Sequence, residues 1–266
     1  MYEDFASVYD ELMDETPYEQ WCENIVGFME QYGVSKPERD AGDVLESERN
    51  LVLDLGCGTG TLTELLYQKG YDMIGVDSSD SMLGIATAKK EASGSEILYL
   101  CQDMRELSLY STVGTVISVC DCVNYILEEE ELVQVFSLVN NYLYPGGIFI
   151  FDFNTDYKYR EVVGDTVIAE NREDCSFIWE NYFDEESGIN EYDVTIFVQE
   201  EGEHFRRFRE THLQRGYQVE QMCRMVTDAG MQVVAIKDAD TGEDVNEYSE
   251  RVYVVAREQG KKVCYL

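Results

Sequence analysis

Residues 54–60 read "DLGCGTG", three glycines on alternate positions directly after the apolar run Leu51–Leu55. An apolar run ending in glycines is the junction of a buried strand and a sharp turn. A lysine-bearing phosphate loop needs Gly-x-x-x-x-Gly-Lys-Ser/Thr. Leu62 and Thr63 stand in the wrong places for it, and no lysine is present. The dinucleotide fingerprint Gly-x-Gly-x-x-Gly fits poorly, because Gly60 arrives one position early.

Working outward, strand and helix patterns alternate. "NLVLDLG", "YDMIGVD", "EILYLCQD", "VGTVISVCD" and "IFIFDF" are short apolar strands. "TLTELLYQKG", "SDSMLGIATAKKEA" and "EEELVQVFSLVNNYL" are helices, the last with Leu132, Val135, Phe136, Val139 and Leu143 on one stripe. "QVEQMCRMVTDAG" is a final helix, with Val219, Met222, Cys223 and Val226 inward, and "MQVVAIKD" and "ERVYVVARE" close the sheet. This order predicts an α/β, doubly wound, mainly parallel Rossmann-like sheet of seven strands. Helical spacing of apolar residues predicts an N-terminal helical lid over 1–34. The polar stretch 35–50 reads as a linker. Residues 161–215 alternate in strand fashion, with Tyr192, Val194, Ile196 and Val198 on one face, and form an antiparallel β insert that caps the substrate. The main domain is then 51–160 with 216–266.

Net charge is −34, from 20 basic and 54 acidic residues. Such a surface disfavours nucleic acid and anionic lipid. No stretch approaches the roughly 20 apolar residues of a membrane span, and the acidic N-terminus lacks a signal-peptide layout. The eight cysteines, at 22, 57, 101, 120, 122, 175, 223 and 264, form no Cys-x-x-Cys pair. They point to a reducing, cytoplasmic compartment, without disulfides or a bound metal.

Asp54-x-Gly56-x-Gly58-x-Gly60 resembles motif I of class I S-adenosylmethionine-dependent methyltransferases. The physical basis is legible: glycine lets the main chain approach a ligand without a Cβ in the way, and the next helix offers unpaired N–H groups to a carboxylate. Asp54 can face an ammonium, whereas it would repel a pyrophosphate. Asp77 ends the second strand and can accept both ribose hydroxyls. The resemblance further implies that Met82 packs on the adenine, that Asp103 accepts its amino group with Met104 beside it in the cofactor site, and that Asp121 sits at the pocket mouth. The chain looks like bacterial small-molecule methyltransferases with a strand-rich insert.

The resemblance makes S-adenosyl-L-methionine the cofactor and a small molecule, of unidentified N or O nucleophile, the partner. A homodimer is compatible with these features. From the lid, Tyr9, Tyr18 and Trp21 are aromatic candidates to face the sulfonium; plain helix packing is the alternative. His212, with Glu210 two positions away on the same strand face, is the candidate catalytic proton acceptor, against a structural hydrogen bond within the insert. Asn124 and Tyr125 border the acceptor side by position. A cofactor-binding protein without catalysis and an NAD-dependent oxidoreductase are the competing classes.

Overall fold

The computed structural model describes residues 3–39, 42–200 and 202–261. Seven strands form one sheet: β1 (Leu51–Leu55), β2 (Asp72–Asp77), β3 (Leu98–Cys101), β4 (Val113–Ser118), β5 (Leu143–Asn154), β10 (Met231–Asp238) and β11 (Arg251–Glu258). Their order is β10-β11-β5-β4-β1-β2-β3. β3, β2, β1, β4 and β5 pair in parallel, and only β11 runs against its neighbours. The chain winds outward from β1 to β3 and then crosses back to β4. The carboxyl ends of β1 and β4 therefore border a crevice, which is where ligands bind in such sheets.

Helices cover both faces. On one, α6 (Glu129–Tyr142) and α7 (Val219–Asp228) bury Leu132, Phe136, Val139, Met222 and Val226 against β4, β5 and β11. Met225 is also inward on α7, while Cys223 is only half-buried. On the other face, α2 (Tyr18–Tyr32) and α4 (Thr61–Gln68) pack Ile25, Met29, Leu62 and Leu66 against the sheet. α5 (Asp80–Ser93) follows β2 and starts on a Ser79 cap.

The stretch 35–50 departs from a plain linker. Residues Val44–Asn50 form a helix, α3, capped by Asp43, whose carboxylate accepts from the Leu45 N–H. Ser35 Oγ is 2.8 Å from Thr115 Oγ1 and donates to the Arg49 carbonyl at 3.0 Å, which ties the segment onto β4. A polar composition concealed this helix, because its stability comes from a cap and backbone contacts and not from an apolar stripe.

The insert is a separate four-stranded antiparallel sheet, β6 (Val167–Asn171), β7 (Cys175–Asp184), β8 (Ile189–Gln199) and β9 (Phe205–Arg215), in that order. Tyr192, Val194 and Ile196 of β8 form one cluster with Tyr159 and with Val8 of α1 (Glu3–Leu12), as the alternation predicts. The seven cysteines among the described residues are all free; Cys264 lies outside them.

Candidate active site

The glycine turn is tied down at both ends. The N–H groups of Gly56 and Cys57 donate to the Val76 carbonyl at 2.7 and 3.0 Å. Asp77 accepts from the Gly58 N–H at 2.9 Å and from the Ser79 N–H at 2.8 Å, one per carboxylate oxygen. Gly56, Gly58 and Gly60 have φ of +86°, +55° and +74°, the left-handed region. A Cβ on Gly56 would stand 2.6 Å from Cys122 Sγ, and one on Gly60 would run into the Tyr99 hydroxyl. One on Gly58 meets nothing within 4 Å. The outer glycines thus serve close packing, and the middle one leaves its side open.

Asp54 lies beneath this turn, only 2% exposed, and accepts from Thr63 Oγ1 at 2.6 Å. The motif points Asp54 at a ligand's ammonium; its side chain instead holds the first turn of α4. Burial pushes its carboxyl up to about 7, against the opposing Thr63 bond. Burial also raises Asp77. Met82 is buried on the first turn of α5. Met104 packs on the core, its Cε 3.8 Å from the Cβ that Gly56 lacks. Asp103 is chelated by Arg105, at 2.6 Å from Nη2 and 3.0 Å from Nε, and the guanidinium holds it below the usual carboxylate range.

After β4 the chain takes two consecutive left-handed residues, Cys120 (φ +66°) and Asp121 (φ +51°). Such a pair of non-glycine residues is strained and needs external support. Asp152, fully buried on β5, supplies it by accepting from the Cys120 N–H at 3.2 Å and the Asp121 N–H at 2.8 Å. Arg251 of β11 pairs with Asp152. The Cζ of that guanidinium lies over the Trp21 ring, 4.2 Å from its centroid. The structure therefore gives Trp21 a packing role: it covers a buried ion pair and is itself buried. Tyr9 and Tyr18 stand beside Cys120, and burial raises both hydroxyls.

α1 is latched to the turn. Thr59 Oγ1 donates to Asp10 at 2.6 Å, Lys89 pairs with Asp10 at 2.7 Å, and Lys89 also donates to Thr61 Oγ1 at 2.7 Å. From the other side, Arg172 of the insert pairs with Asp14 at 3.0 Å and donates to the Glu11 carbonyl.

The insert reaches the site through Gln214. Its amide oxygen accepts from the Tyr159 and Tyr192 hydroxyls, both at 2.6 Å, and its amide nitrogen donates to Asp121. His212 is 5% exposed, with Nε2 3.6 Å from Glu210 Oε2 and its ring edge-on to Tyr125 at 6.0 Å. Burial lowers its pKa, which favours the neutral imidazole at neutral pH. Tyr125 is 37% exposed. Asn124 is a correction: it is fully buried and its amide is used up. It donates to the carbonyls of Asn154 at 2.9 Å and Arg215 at 2.7 Å, and accepts from the Asn154 N–H at 2.9 Å. It staples the insert's two ends, which leaves its amide nothing to offer an acceptor. Arg206, Arg209 and Arg215 each pair with an acid, Glu200, Asp193 and Glu129.

Pattern reading missed Asp152, Arg251, Gln214, Asp10 and Lys89. One carried a signal. Asp152 in "IFIFDF" is a lone charge in an apolar strand, which demands a buried partner.

A doubly wound sheet, an acid-bracketed glycine turn at its switch point and a carboxylate ending β2 together define a class I S-adenosylmethionine-dependent methyltransferase. Residues 52–147 match the family model described as "Methyltransferase domain". A relative from Geobacillus sp. (strain WCH70), named as a methyltransferase with the prefix "Putative", is 36% identical over 96% of this chain and 99% of its own length. "Putative methyltransferase YqeM" of Bacillus subtilis (strain 168) is 34% identical over 97% of each. The crystal structure of an S-adenosylmethionine-dependent methyltransferase from Clostridium acetobutylicum ATCC 824 aligns with TM-score 0.84 at 28% identity, over 97% of this chain and 99% of that one. The chain belongs to the S-adenosylmethionine-dependent methyltransferase family.

The residues fit that cofactor. The open side of Gly58 gives a nucleoside room beside the turn. Asp77, at the end of β2, has a carboxylate that would accept from sugar hydroxyls. The carboxylates of Asp77 and Asp121 would repel a chain of phosphates. No helix among the described residues is long and apolar enough to cross a membrane.

Proposed function

We propose that the chain holds S-adenosylmethionine between the glycine turn, Asp77 and the β4 loop, and methylates a small molecule enclosed by α1, α2 and the insert. When bound, the donor supplies a methyl group on a positively charged sulfur. Asp77 would accept the ribose hydroxyls, and Met82 and Met104 would lie against the base. Asp103, with its carboxylate fixed by Arg105, would accept from the adenine amino group. Tyr9 and Asp121 would border the sulfur end. The protein's work is to orient the two reactants and exclude water, which can supply roughly 7–11 kcal/mol. The roof over the site and the paired state of Arg206, Arg209 and Arg215 support a small acceptor over nucleic acid. Free thiols support a reducing, cytoplasmic setting.

The observation that carries the donor assignment is Asp77, placed by two backbone N–H groups at the tip of β2. Calorimetry with S-adenosylhomocysteine tests it. Asp77→Asn should weaken binding roughly ten- to a hundredfold, the worth of about 1.5–3 kcal/mol for hydrogen bonds to a charged group. Unchanged affinity would remove the ribose from this position. A cofactor-binding protein without chemistry is the second reading; radiolabelled methyl transfer to a metabolite extract separates the two.

A further inference from the structure

The insert's inner face is a ladder whose lowest rung touches the donor side. Strand register sets the rungs: Gln214 with Asn190 and Phe183, then His212 with Tyr192 and Asn181, then Glu210 with Val194 and Trp179. Rungs on one face are about 7 Å apart. Gln214 is bonded to Asp121, and His212 abuts Tyr125 in the turn after β4. The ladder therefore climbs away from the β4 loop, with Glu210 one step beyond His212.

Three observations define what fits there. First, among the described residues the charged groups that meet the ladder are acidic. Glu210 lies 3.6 Å from His212 and Asp121 accepts from Gln214 on the next rung, while Arg209 pairs with Asp193, Arg206 with Glu200 and Arg215 with Glu129. Second, Trp179 Nε1 is buried without an acceptor among the described residues, which is unfavourable unless a ligand supplies an oxygen. Third, the buried imidazole stands 3.6 Å from a carboxylate that would stabilise it once charged.

Building on the methyl-transfer assignment, we propose that the acceptor is a small primary or secondary amine carrying a nearby hydroxyl or ether oxygen. Glu210 is the group that selects its cation, Trp179 the donor to its oxygen, and His212 the acceptor of its ammonium proton. In that step one N–H bond of the ammonium breaks, the electron pair stays on nitrogen, and the proton goes to an imidazole nitrogen. The positive charge moves from ligand to ring, beside Glu210. The freed lone pair is the nucleophile, and the imidazolium later returns its proton to solvent. An alcohol, about as weak an acid as water, is out of reach for an imidazole. Ammonium groups near 8–10 are within it. A phenol would develop negative charge between two carboxylates.

The test uses the full chain saturated with S-adenosylhomocysteine, so that no turnover occurs. Thermal shift, followed by calorimetry on hits, is run with amino alcohols and amino sugars, from 2-aminoethanol to glucosamine. Matched neutral compounds (ethylene glycol, glucose), carboxylates (glycolate, gluconate) and bare alkylamines are run beside them. Stabilisation should be confined to amines, with oxygen-bearing ones favoured. Glu210→Gln should weaken the hits at least tenfold while leaving the S-adenosylhomocysteine shift intact, which shows that the variant is folded. Trp179→Phe should erase the preference for oxygen-bearing over bare amines. Hits among carboxylates or neutral compounds, no amine among the hits, or equal amine binding by Glu210→Gln would each overturn the proposal. Absence of any S-adenosylhomocysteine shift in the unmodified chain would instead overturn the donor assignment.

Discussion

Replacing Asp54 by asparagine should change how stability varies with pH. Burial lifts the Asp54 carboxyl from 3.8 to about 7. That is a shift of about 3 units, worth about 4 kcal/mol at about 1.4 kcal/mol per unit. The folded value is the higher one. Asp54 therefore imposes no cost below about pH 4, and its contribution worsens as pH rises through 7. Between pH 5 and 8 the two-state linkage relation gives a loss of about 2–3 kcal/mol. Asp54→Asn keeps the shape and an oxygen for Thr63 Oγ1 but cannot ionise. Its buried NH₂ adds a penalty of about 1–3 kcal/mol that does not depend on pH, so the slope and not the offset is the measurement. Urea unfolding of both proteins at pH 5, 6, 7 and 8 supplies it. The chain with Asp54 should lose about 2–3 kcal/mol more than the variant over that range. Parallel curves would show that Asp54 is ionised at no cost in the fold, and would refute the burial reasoning.

Gly60→Ala should destabilise by at least about 2 kcal/mol, because its Cβ meets the Tyr99 hydroxyl at a left-handed φ, whereas Gly58→Ala should cost about 1 kcal/mol from φ alone; thermal unfolding of the pair reads the difference. Asn124→Ala loses three buried hydrogen bonds and should cost about 2–4 kcal/mol in urea unfolding, while Tyr125→Ala next to it should cost under about 1. Asp10→Asn weakens a part-exposed ion pair worth about 0.5–1 kcal/mol, so amide exchange in residues 3–12 should speed up about two- to fivefold, and added salt should do the same to the unmodified chain.

The fold was legible because its signals are periodic. Each predicted strand of the main sheet is present, and the apolar stripe from Leu132 to Leu143 is buried as the spacing requires. The turn was legible because Gly56, Gly58 and Gly60 are needed where they stand by backbone conformation. Side-chain roles were less so. Asn124 is adjacent to Tyr125, yet one is consumed by two carbonyls and an amide while the other is partly exposed. Sequence position cannot separate them, since the difference lies in strand ends 30 and 91 residues away. The sequence offers Trp21 as a ring for a cation, and it does face one: Arg251, a partner more than two hundred residues downstream. Long-range pairing of this kind leaves no local pattern.

The insert leaves the main sheet and returns to it at one spot. Asn154 and Arg215 are joined by the Asn124 amide, Thr155 bridges Tyr217, and the Asp156 N–H donates to the Tyr217 carbonyl. A segment with its departure and arrival clasped together can be lengthened, shortened or exchanged without re-threading the strands beneath it. Evolution can then try new acceptor roofs over an unaltered methyl-donor floor, and so could a protein engineer who grafts residues 157–214 from a relative between the same two clasped ends.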